Sequence, residues 1–404
     1  MTTTINNEHK ELNFSSEREQ SQTCLNSAEH EKNQGRKVLN DPNLRFPEFQ
    51  GEWEKCKLGD YGKVVTGNTP PTKDIENYEN GTYLWASPAD LGTIKSITET
   101  KTMLSAQGFS KTRTLPKGSV LVTCIGSTIG KTGMATKEMS TNQQINSIVV
   151  NDNNDNEFVY YAIQSAFPRY LSSIAIQAVP IISKSSFELL PNKRPCLQEQ
   201  KKIGKFLSLL DERIATQNKI IDKLQSLIKG IAQNIVRNNK PNVRLSDCLE
   251  CNSSTLQESE VCEQGTYPVY GANGIVGYLN NYNTEGEAVY IIKDGSGVGT
   301  VSYVTGKCSA TGTLNTLQTK EGYSLQYLYY LLKVFNFEPY KTGMAIPHIY
   351  FKDYGKAKFF CPSYTEQLQY AQSLSAIDSK LLVEKNILTS LSMQKKYLLR
   401  QMFI

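Results

Sequence analysis

The chain has 404 residues, more than one ordinary domain holds, so two to four structural units are expected. Hydrophobic residues make up 39% of the chain and charged residues 21%, and no stretch approaches the roughly 18 apolar residues of a membrane span, which excludes a membrane protein. The start of the chain lacks a secretory signal pattern, so we expect a cytoplasmic protein whose nine cysteines are free thiols.

The first element along the chain is a polar tail, residues 1–42. It is rich in Asn, Glu, Ser, Gln and Thr and has almost no large apolar residues. Such a composition cannot bury enough apolar surface to fold, so the tail is predicted to be disordered.

Two strand-rich regions follow, 43–195 and 241–361, each containing short β-branched or aromatic runs bounded by Gly, Asn, Asp and Pro. The clearest runs are 119–125, 145–150, 287–293 and 300–304. Each region closes on a stretch of helical character, at 157–167 and at 324–335. The mixture predicts two α+β domains.

Each strand-rich region contains a glycine-rich loop, CIGSTIGKTG (124–133) in the first and DGSGVGTV (294–301) in the second. The spacing does not fit a nucleotide-binding loop, since Ile125 and Thr300 stand where such motifs need glycine. Two interpretations stay open. The loops are tight strand connections, or they are turns whose backbone amides, with Lys131 and Thr132 in the first, contact phosphate.

A long helix is predicted after each strand-rich region, at 196–240 and at 362–404. A shift of 167 residues superimposes the two segments without a gap from residue 180 to 235, and Pro195 to Gln200 then lies on Pro362 to Gln367. Apolar residues recur at alternating spacings of four and three, which is the period of a coiled coil. The seam predicted for the first helix is Ile203, Leu207, Leu210, Ile214, Gln217, Ile221, Leu224, Ile228, Ile231 and Ile235. The seam predicted for the second is Tyr370, Leu374, Ile377, Leu381, Glu384, Leu388, Leu391, Leu398 and Met402.

One seam position is polar in both helices, Gln217 in the first and Glu384 in the second, and the two are equivalent under the shift. A polar seam residue commonly fixes the register and the partner of a coiled coil. The alternative is that both side chains face solvent at a local irregularity.

The loops of the strand-rich regions carry many side chains that suit the reading of bases and phosphates. Asn and Gln bond adenine bidentately, Ser and Thr bond phosphates or base edges, and Lys bonds phosphate. The candidates are Thr66, Asn68, Thr69, Lys73, Lys131, Thr132, Asn142, Gln143, Gln144, Asn273, Ser296, Thr311, Thr313 and Asn315. The alternative is that these residue types simply favour loops.

No catalytic or metal site is predicted. Cys248 and Cys251 have the spacing of a zinc-binding pair, but no second pair stands at ligand spacing, so buried thiols are favoured over zinc. The three histidines, at positions 9, 30 and 348, do not combine with Ser and Asp into a triad.

The whole arrangement resembles the specificity (S) subunit of type I restriction–modification systems. The resemblance covers about 43–404, and it is carried by NLRFPEFQGEWEKCKLGD (43–60), GNTPPTKDIENYENGTYLWASPADL (67–91), TYPVYGANGIVGY (266–278) and the proline-to-Glu-Gln entry before each helix. Together these segments identify the chain as a member of the family, whereas each alone is weak.

The resemblance implies two target-recognition domains, 43–195 and 241–361, and two spacer helices that form an antiparallel coiled coil with approximate two-fold symmetry. Each domain would read one half of a split site in double-stranded DNA, and helix length would set the spacer between the halves. The subunit would have no catalysis or cofactor of its own. It would position two methyltransferase subunits, which use S-adenosylmethionine to methylate adenine, and two restriction subunits, which use ATP and Mg²⁺.

The distribution of charge adds little support for this function. Residues 196–240 carry +5, equal to the net charge of the whole chain, whereas 45–195 carry +2 and 241–361 carry −2. Phosphate contacts would therefore come from local clusters. The alternative function is a coiled-coil scaffold whose two domains bind proteins.

Overall fold

The computed structural model describes residues 41–92, 94–173 and 180–404. The predicted tail therefore lies outside the described residues except for Asp41 and Pro42. The described residues divide into two compact units, the first comprising those up to 211 together with 393–404 and the second residues 212–392. In the described parts of the chain, no helix is both long and apolar enough to cross a membrane.

Before the first long helix, the described residues of the first unit contain ten strands and three α-helices. In chain order these are β1 (Glu54–Lys57), β2 (Gly62–Thr66), β3 (Tyr83–Ala86), β4 (Ser96–Ile97), β5 (Thr102–Leu104), α1 (Ala106–Ser110), β6 (Val120–Thr123), β7 (Thr132–Ala135), β8 (Ser140–Thr141), β9 (Ile145–Val150), α2 (Asn156–Ser173), α3 (Lys184–Glu188) and β10 (Pro191–Arg194). The first long helix, α4 (Leu197–Asn238), begins in this unit and ends in the second.

The second unit repeats this plan. Its elements are β11 (Val243–Arg244), α5 (Leu245–Cys248), β12 (Leu249–Ser253), β13 (Tyr267–Gly271), β14 (Gly274–Leu279), β15 (Ala288–Ile292), β16 (Val301–Val304), β17 (Ser309–Ala310), β18 (Leu314–Thr319), α6 (Leu325–Leu332), α7 (Phe351–Tyr354) and β19 (Lys358–Phe359). The second long helix, α8 (Tyr364–Gln401), begins here and ends in the first unit.

The sheets of the two units have matching strand orders, except that β4 adds a fifth strand to the main sheet of the first unit. The main sheet has the order β2-β9-β6-β7-β4 in the first unit and β12-β18-β15-β16 in the second. A three-stranded sheet accompanies each, in the order β5-β3-β8 and β14-β13-β17, with one parallel pair in both cases. A two-stranded ribbon, β1-β10 or β11-β19, completes each unit. The mixed α+β class predicted from the sequence is confirmed.

Alternating side chains of the main sheet bury both of its faces, as a pleated strand requires. In β6, Val120 and Val122 join the core that contains α2, whereas Leu121 joins the core shared with the three-stranded sheet. In β15, Val289 and Ile291 pack with α6, and Tyr290 packs towards the smaller sheet. Each unit is therefore a layered structure of helix, main sheet and small sheet.

The two long helices pack antiparallel. In the first unit the start of α4 packs with the end of α8 through a core that includes Ile203, Leu207, Leu398 and Met402. In the second unit the end of α4 shares a core with the start of α8. The buried residues there are Ile221, Ile228, Ile235, Leu374 and Leu381.

All but one of the predicted seam positions are buried or partly buried. Leu391 is buried, and the remaining apolar positions Leu210, Ile214, Leu224, Ile231, Ile377 and Leu388 are partly buried. The prediction for Tyr370 is wrong, because this side chain is 36% exposed and the neighbouring Ala371 is buried instead.

The polar seam position is a contact between the two helices in the second unit. Gln217 and Glu384 are each only 7% exposed, and the Gln217 Nε2 atom donates to the Glu384 carbonyl oxygen at 3.0 Å and to its carboxylate. Lys380 adds an ion pair to that carboxylate at 2.7 Å. The alternative in which both side chains face solvent is therefore excluded.

Candidate nucleic-acid interface

The two glycine-rich loops have the same backbone conformation. Gly126 and Gly130 have φ of 92° and 89°, and Gly295 and Gly299 have 98° and 92°. These left-handed values favour glycine. In each loop the amide of the second glycine donates to the last residue of the preceding strand at 2.9 Å, Thr123 or Ile292. Both loops are therefore tight strand connections, and their equivalent residues are offset by 169. Contact of their amides with phosphate stays a prediction.

The space around each loop also requires glycine. A Cβ atom on Gly130 would lie 2.6 Å from the Phe167 ring, and one on Gly299 would lie 2.9 Å from the Phe337 ring. Each loop thus rests on an aromatic side chain of its own unit, which fixes its backbone against the core.

A second loop lies beside each glycine-rich loop. The Cys124 amide donates to the Gln144 carbonyl at 2.8 Å, and in the second unit the Lys293 amide donates to the Thr313 carbonyl at 3.0 Å. An internal brace closes the second loop in both cases. Asn142 Nδ2 donates to Gln144 Oε1 at 3.0 Å, and the hydroxyls of Thr311 and Thr313 lie 2.9 Å apart.

The strand that leads to the site carries an equivalent brace in each unit. Thr66 Oγ1 donates to Asn146 Oδ1 at 2.6 Å, and Ser253 Oγ donates to Asn315 Oδ1 at 2.7 Å. Thr66 and Asn315 are predicted site residues, whereas their partners Asn146 and Ser253 are not. The offset of 169 would have found Asn146 from Asn315, since the two residues are equivalent.

The loop after β2 joins the cluster in the first unit. The Asn68 amide donates to the Thr141 carbonyl at 2.9 Å, and the Thr69 hydroxyl bonds Gln143. The Asn68 side chain is used within the protein, because Nδ2 donates to the Lys111 carbonyl and Oδ1 accepts from the Arg113 amide, both at 2.9 Å. Asn68 therefore shapes this loop.

Four predicted contact residues are buried, which corrects the expectation that they present hydrogen-bonding groups to a ligand. Thr132, Asn142, Thr311 and Asn315 are between 1% and 7% exposed. Thr132 bonds the Tyr160 hydroxyl, and the other three form the braces described above. Their role is to hold the loops in place.

The exposed candidates differ in where they lie. Lys131 and Ser296 are exposed on the two glycine-rich loops, and Gln143 is exposed at the tip of the adjacent loop. Lys73 and Asn273 are exposed as well, but within the described residues no hydrogen bond links either of them to these loops. Among the predicted residues, Lys131, Gln143 and Ser296 thus combine accessibility with a place in the cluster.

The cysteine pair lies in the core of the second unit. Cys248 is buried, and its Sγ atom is 4.0 Å from that of Cys361. Burial raises the pKa of Cys251 to about 11, so this thiol stays protonated at neutral pH. The described residues contain no group of three or more His, Cys, Asp or Glu side chains able to hold a metal ion.

Comparison with known families gives one match over most of the chain. The Methylase_S family, described as "Type I restriction modification DNA specificity domain", matches residues 50–226 and 238–393. These two matches follow the internal repeat, one to each copy.

Individual relatives match mostly over about half of the chain. The MjaIX specificity subunit of Methanocaldococcus jannaschii is 30% identical over 182 residues, which are 43% of this chain and 42% of that protein. The EcoR124I/EcoR124II specificity subunit of Escherichia coli is 28% identical over 42% of this chain and 43% of its own length. A longer match is the EcoprrI specificity subunit of Escherichia coli, 22% identical over 81% of this chain and 88% of that protein.

Solved structures share the fold. The type I restriction–modification S subunit from M. genitalium aligns with a TM-score of 0.64 over 90% of this chain and 99% of its own, at 20% identity. A chain from a structural study of complex assembly in a type I restriction–modification system aligns with a TM-score of 0.51 over 87% and 97%, at 15% identity. At these identities the likeness concerns the fold.

Proposed function

Because the chain belongs to the family of type I restriction–modification DNA specificity subunits, we propose that each of its strand-rich domains reads one half of a split site in double-stranded DNA. The observation that carries this proposal is the repetition of one loop cluster in both units. In both units, the cluster consists of a glycine-rich loop, an adjacent braced loop and a supporting strand. These parts lie at equivalent positions and are joined by equivalent hydrogen bonds. A bipartite site needs two such readers.

The chemistry of the cluster favours DNA as the ligand. The braces hold the loop backbones, and exposed amide, hydroxyl and ammonium groups lie at their tips. Amides and hydroxyls suit base edges and phosphates, and Lys131 suits a phosphate. Since the domains are nearly neutral overall, affinity would depend on such local groups and on partner subunits that enclose the duplex.

The long helices supply the distance between the two readers in this proposal. At 1.5 Å per residue, a helix of about 40 residues is about 60 Å long, or between one and two turns of DNA. The seam contact between Gln217 and Glu384 would hold the helices in one register, so that the spacer of the recognised site is constant.

We further propose that the subunit is not itself an enzyme. It would act in the cytoplasm and position two methyltransferase subunits, which carry S-adenosylmethionine, and two restriction subunits, which carry ATP and Mg²⁺. A scaffold that binds proteins through its two domains is not favoured, because the family match spans both copies of the repeat.

The test is co-expression of the full chain with a type I methyltransferase subunit that co-purifies with it, followed by mapping of N6-methyladenine across the host genome. We expect methylation at a motif of two fixed half-sites separated by a constant spacer. Methylation without a split motif, or no methylation although the two proteins co-purify, would refute the proposal. The methyltransferase subunit expressed alone is the matched control.

A further inference from the structure

An isolated β-bridge flanks the glycine-rich loop in each unit, and its two residues differ completely in chemistry between the units. In the first unit the bridge joins Ile125 and Ile181, and in the second it joins Asp294 and His348. The offsets of 169 and 167 make these positions equivalent. The site therefore has an apolar pair in one unit and a polar, ionisable pair in the other.

The backbone around the bridge is the same in both units. The first glycine of the loop, Gly126 or Gly295, donates to the carbonyl of a proline, Pro180 or Pro347, at 3.0 Å. The residue that follows the bridge is anchored in both cases, because Ile182 is 4% exposed and Ile349 is 1% exposed. Because successive side chains along this segment point to opposite sides, the side chains at positions 181 and 348 lie on the accessible side.

The apolar pair leaves a large side chain in solvent next to polar loops. Ile181 is 53% exposed, although Ile182 beside it is buried. An exposed isoleucine at a surface that contacts DNA suits an apolar feature of the major groove, and the methyl group of thymine is the one that bases offer there.

The polar pair is held in a fixed geometry. His348 Nδ1 lies 2.6 Å from Asp294 Oδ1, and both side chains are 35% exposed. A carboxylate on one ring nitrogen orients the imidazole and leaves Nε2 as its remaining polar atom. Such a nitrogen suits a hydrogen bond to a base edge, and it cannot replace a contact with a methyl group.

We propose that positions 181 and 348 are equivalent base-reading positions, with Ile181 contacting a thymine methyl group in one half-site and His348, oriented by Asp294, hydrogen bonding a base edge in the other. This inference rests on the proposed function and deepens it. It attributes one difference in base sequence between the two half-sites to the residues at positions 181 and 348. Asp294 is a positioning residue, because it acts by orienting His348.

The experiment uses the full chain co-expressed with its methyltransferase subunit, and it compares the methyladenine motif of the variants His348→Ala, His348→Gln, Asp294→Asn and Ile181→Ala with that of the unchanged protein. We expect His348→Ala to relax discrimination about tenfold at one base pair of one half-site. Ile181→Ala should do the same at a T·A pair of the opposite half-site. Met344→Ala, at a fully exposed side chain in the segment before His348, is the matched control and should leave the motif unchanged.

The outcomes separate the two proposals. If the unchanged protein yields no split motif, the proposed function fails. If it yields one and both the His348 and Ile181 variants retain every base of it, the base-reading assignment is wrong. Loss of methylation at all sites by both His348 variants would also overturn the assignment, because the residue would then be structural. Asp294→Asn should weaken the same base pair as His348→Ala and no other.

Discussion

In each unit a tyrosine of the strand-rich domain donates a hydrogen bond to an aspartate of a long helix. The residues around this bond differ between the two units. In the first unit the Tyr161 hydroxyl donates to Asp211 of α4 at 2.6 Å, and in the second the equivalent Tyr330 donates to Asp378 of α8 at 3.3 Å. Lys95 lies beside the first pair, with its Nζ atom 3.4 Å from the Tyr161 hydroxyl and 2.7 Å from the Ser208 hydroxyl. Beside the second pair lies a cavity of about 400 Å³ whose lining includes Tyr330 and Asp378.

This difference separates the parts of the repeat that define the architecture from the parts that vary around it. Lys95 donates to Glu157 and to Ser208 at 2.7 Å each, and Lys395 pairs with Asp211 at 2.6 Å. The position equivalent to Lys395 in the second unit is Ile228, which carries no charge. The tyrosine–aspartate contact is therefore common to both units, whereas the ion pair with Lys395 and the hydrogen bonds of Lys95 belong to the first.

A glutamine at the start of each long helix makes the same two hydrogen bonds in both units. Gln200 Nε2 donates to the Pro195 carbonyl and its Oε1 accepts from the Asp155 amide, both at 3.0 Å. Gln367 repeats these bonds with the Pro362 carbonyl and the Ser324 amide, again at 3.0 Å. Asp155 and Ser324 cap α2 and α6, so the glutamine completes each cap from the long helix. The Glu-Gln entry motif thus joins the domain to the helix.

The largest effect is expected from removing this glutamine. Gln200→Ala removes the partner of the half-buried Asp155 amide and of the buried Pro195 carbonyl, which should lower the free energy of unfolding of the first unit by roughly 2–4 kcal/mol. Gln367→Ala should affect the second unit equally. Hydrogen exchange in the full chain checks this, with faster exchange in α2 for the first variant and in α6 for the second. The exposed residues Gln198 and Gln369, each replaced by Ala, are the controls.

If either glutamine variant accelerates exchange in both helices equally, the contacts do not act separately in each unit. If neither variant changes exchange, the bonds at 3.0 Å contribute nothing to the caps, and the shared motif has another purpose.

An intermediate effect is expected at the aspartates, where the units differ. Asp211→Asn removes the charge that Lys395 pairs with and weakens the bond from Tyr161, which should destabilise the first unit by about 2 kcal/mol. Asp378→Asn should lower stability by less than about 1 kcal/mol, because its one described bond, from Tyr330, is longer. Denaturant unfolding of the full chain, followed together with hydrogen exchange in α2 and α6, measures both. Equal losses would show that the surrounding charges are irrelevant.

Lys395→Ile tests the same difference between the two aspartates, because it gives the first unit the isoleucine that the second unit has at the equivalent position, Ile228. We expect it to reduce the extra effect of Asp211→Asn, so that the double variant loses less than the sum of the two single variants. Lys396→Ile, at the exposed neighbouring residue, is the control and should not interact with Asp211→Asn.

The sequence predicted the helices and their seam better than the loops, for a physical reason. A seam is a local pattern, so a period of three and four residues identifies Ile203 or Leu374 without knowledge of the fold. The direction of a loop side chain depends on which strands pair. Asn142 and Gln143 are neighbours of the same residue class, yet the first is buried in a brace and the second is exposed.

The repeat itself was only partly visible in the sequence. The helices align with an offset of 167, whereas the domains align with an offset of 169, so one fixed shift cannot superimpose both. Asn146 lies on Asn315 only at the second offset. Equivalent positions that differ in chemistry, such as Ile181 and His348, are recognised as equivalent through their backbone hydrogen bonds, because their side chains share nothing.

The smallest effect on stability is expected at the polar seam position, Gln217 and Glu384. The hydrogen bonds from Lys380 and then from Gln217 hold the pKa of Glu384 below its usual range. A depressed carboxyl pKa stabilises the folded state above the pKa of the unfolded chain, and that stabilisation is lost as the pH falls through the lower, folded value. The window therefore lies on the acid side of about pH 4.5, the ordinary value for glutamate.

The variant Glu384→Gln should flatten the dependence of stability on pH in this window and leave the dependence at neutral pH unchanged. Thermal unfolding of the full chain between pH 7 and pH 3 measures it, and Glu212→Gln, at an exposed position of the other helix, is the control. An equally steep acid loss in both variants would mean that the Glu384 carboxylate does not stabilise the seam. In that case the neutral contact between Gln217 and the Glu384 carbonyl would alone hold the register, because it does not titrate.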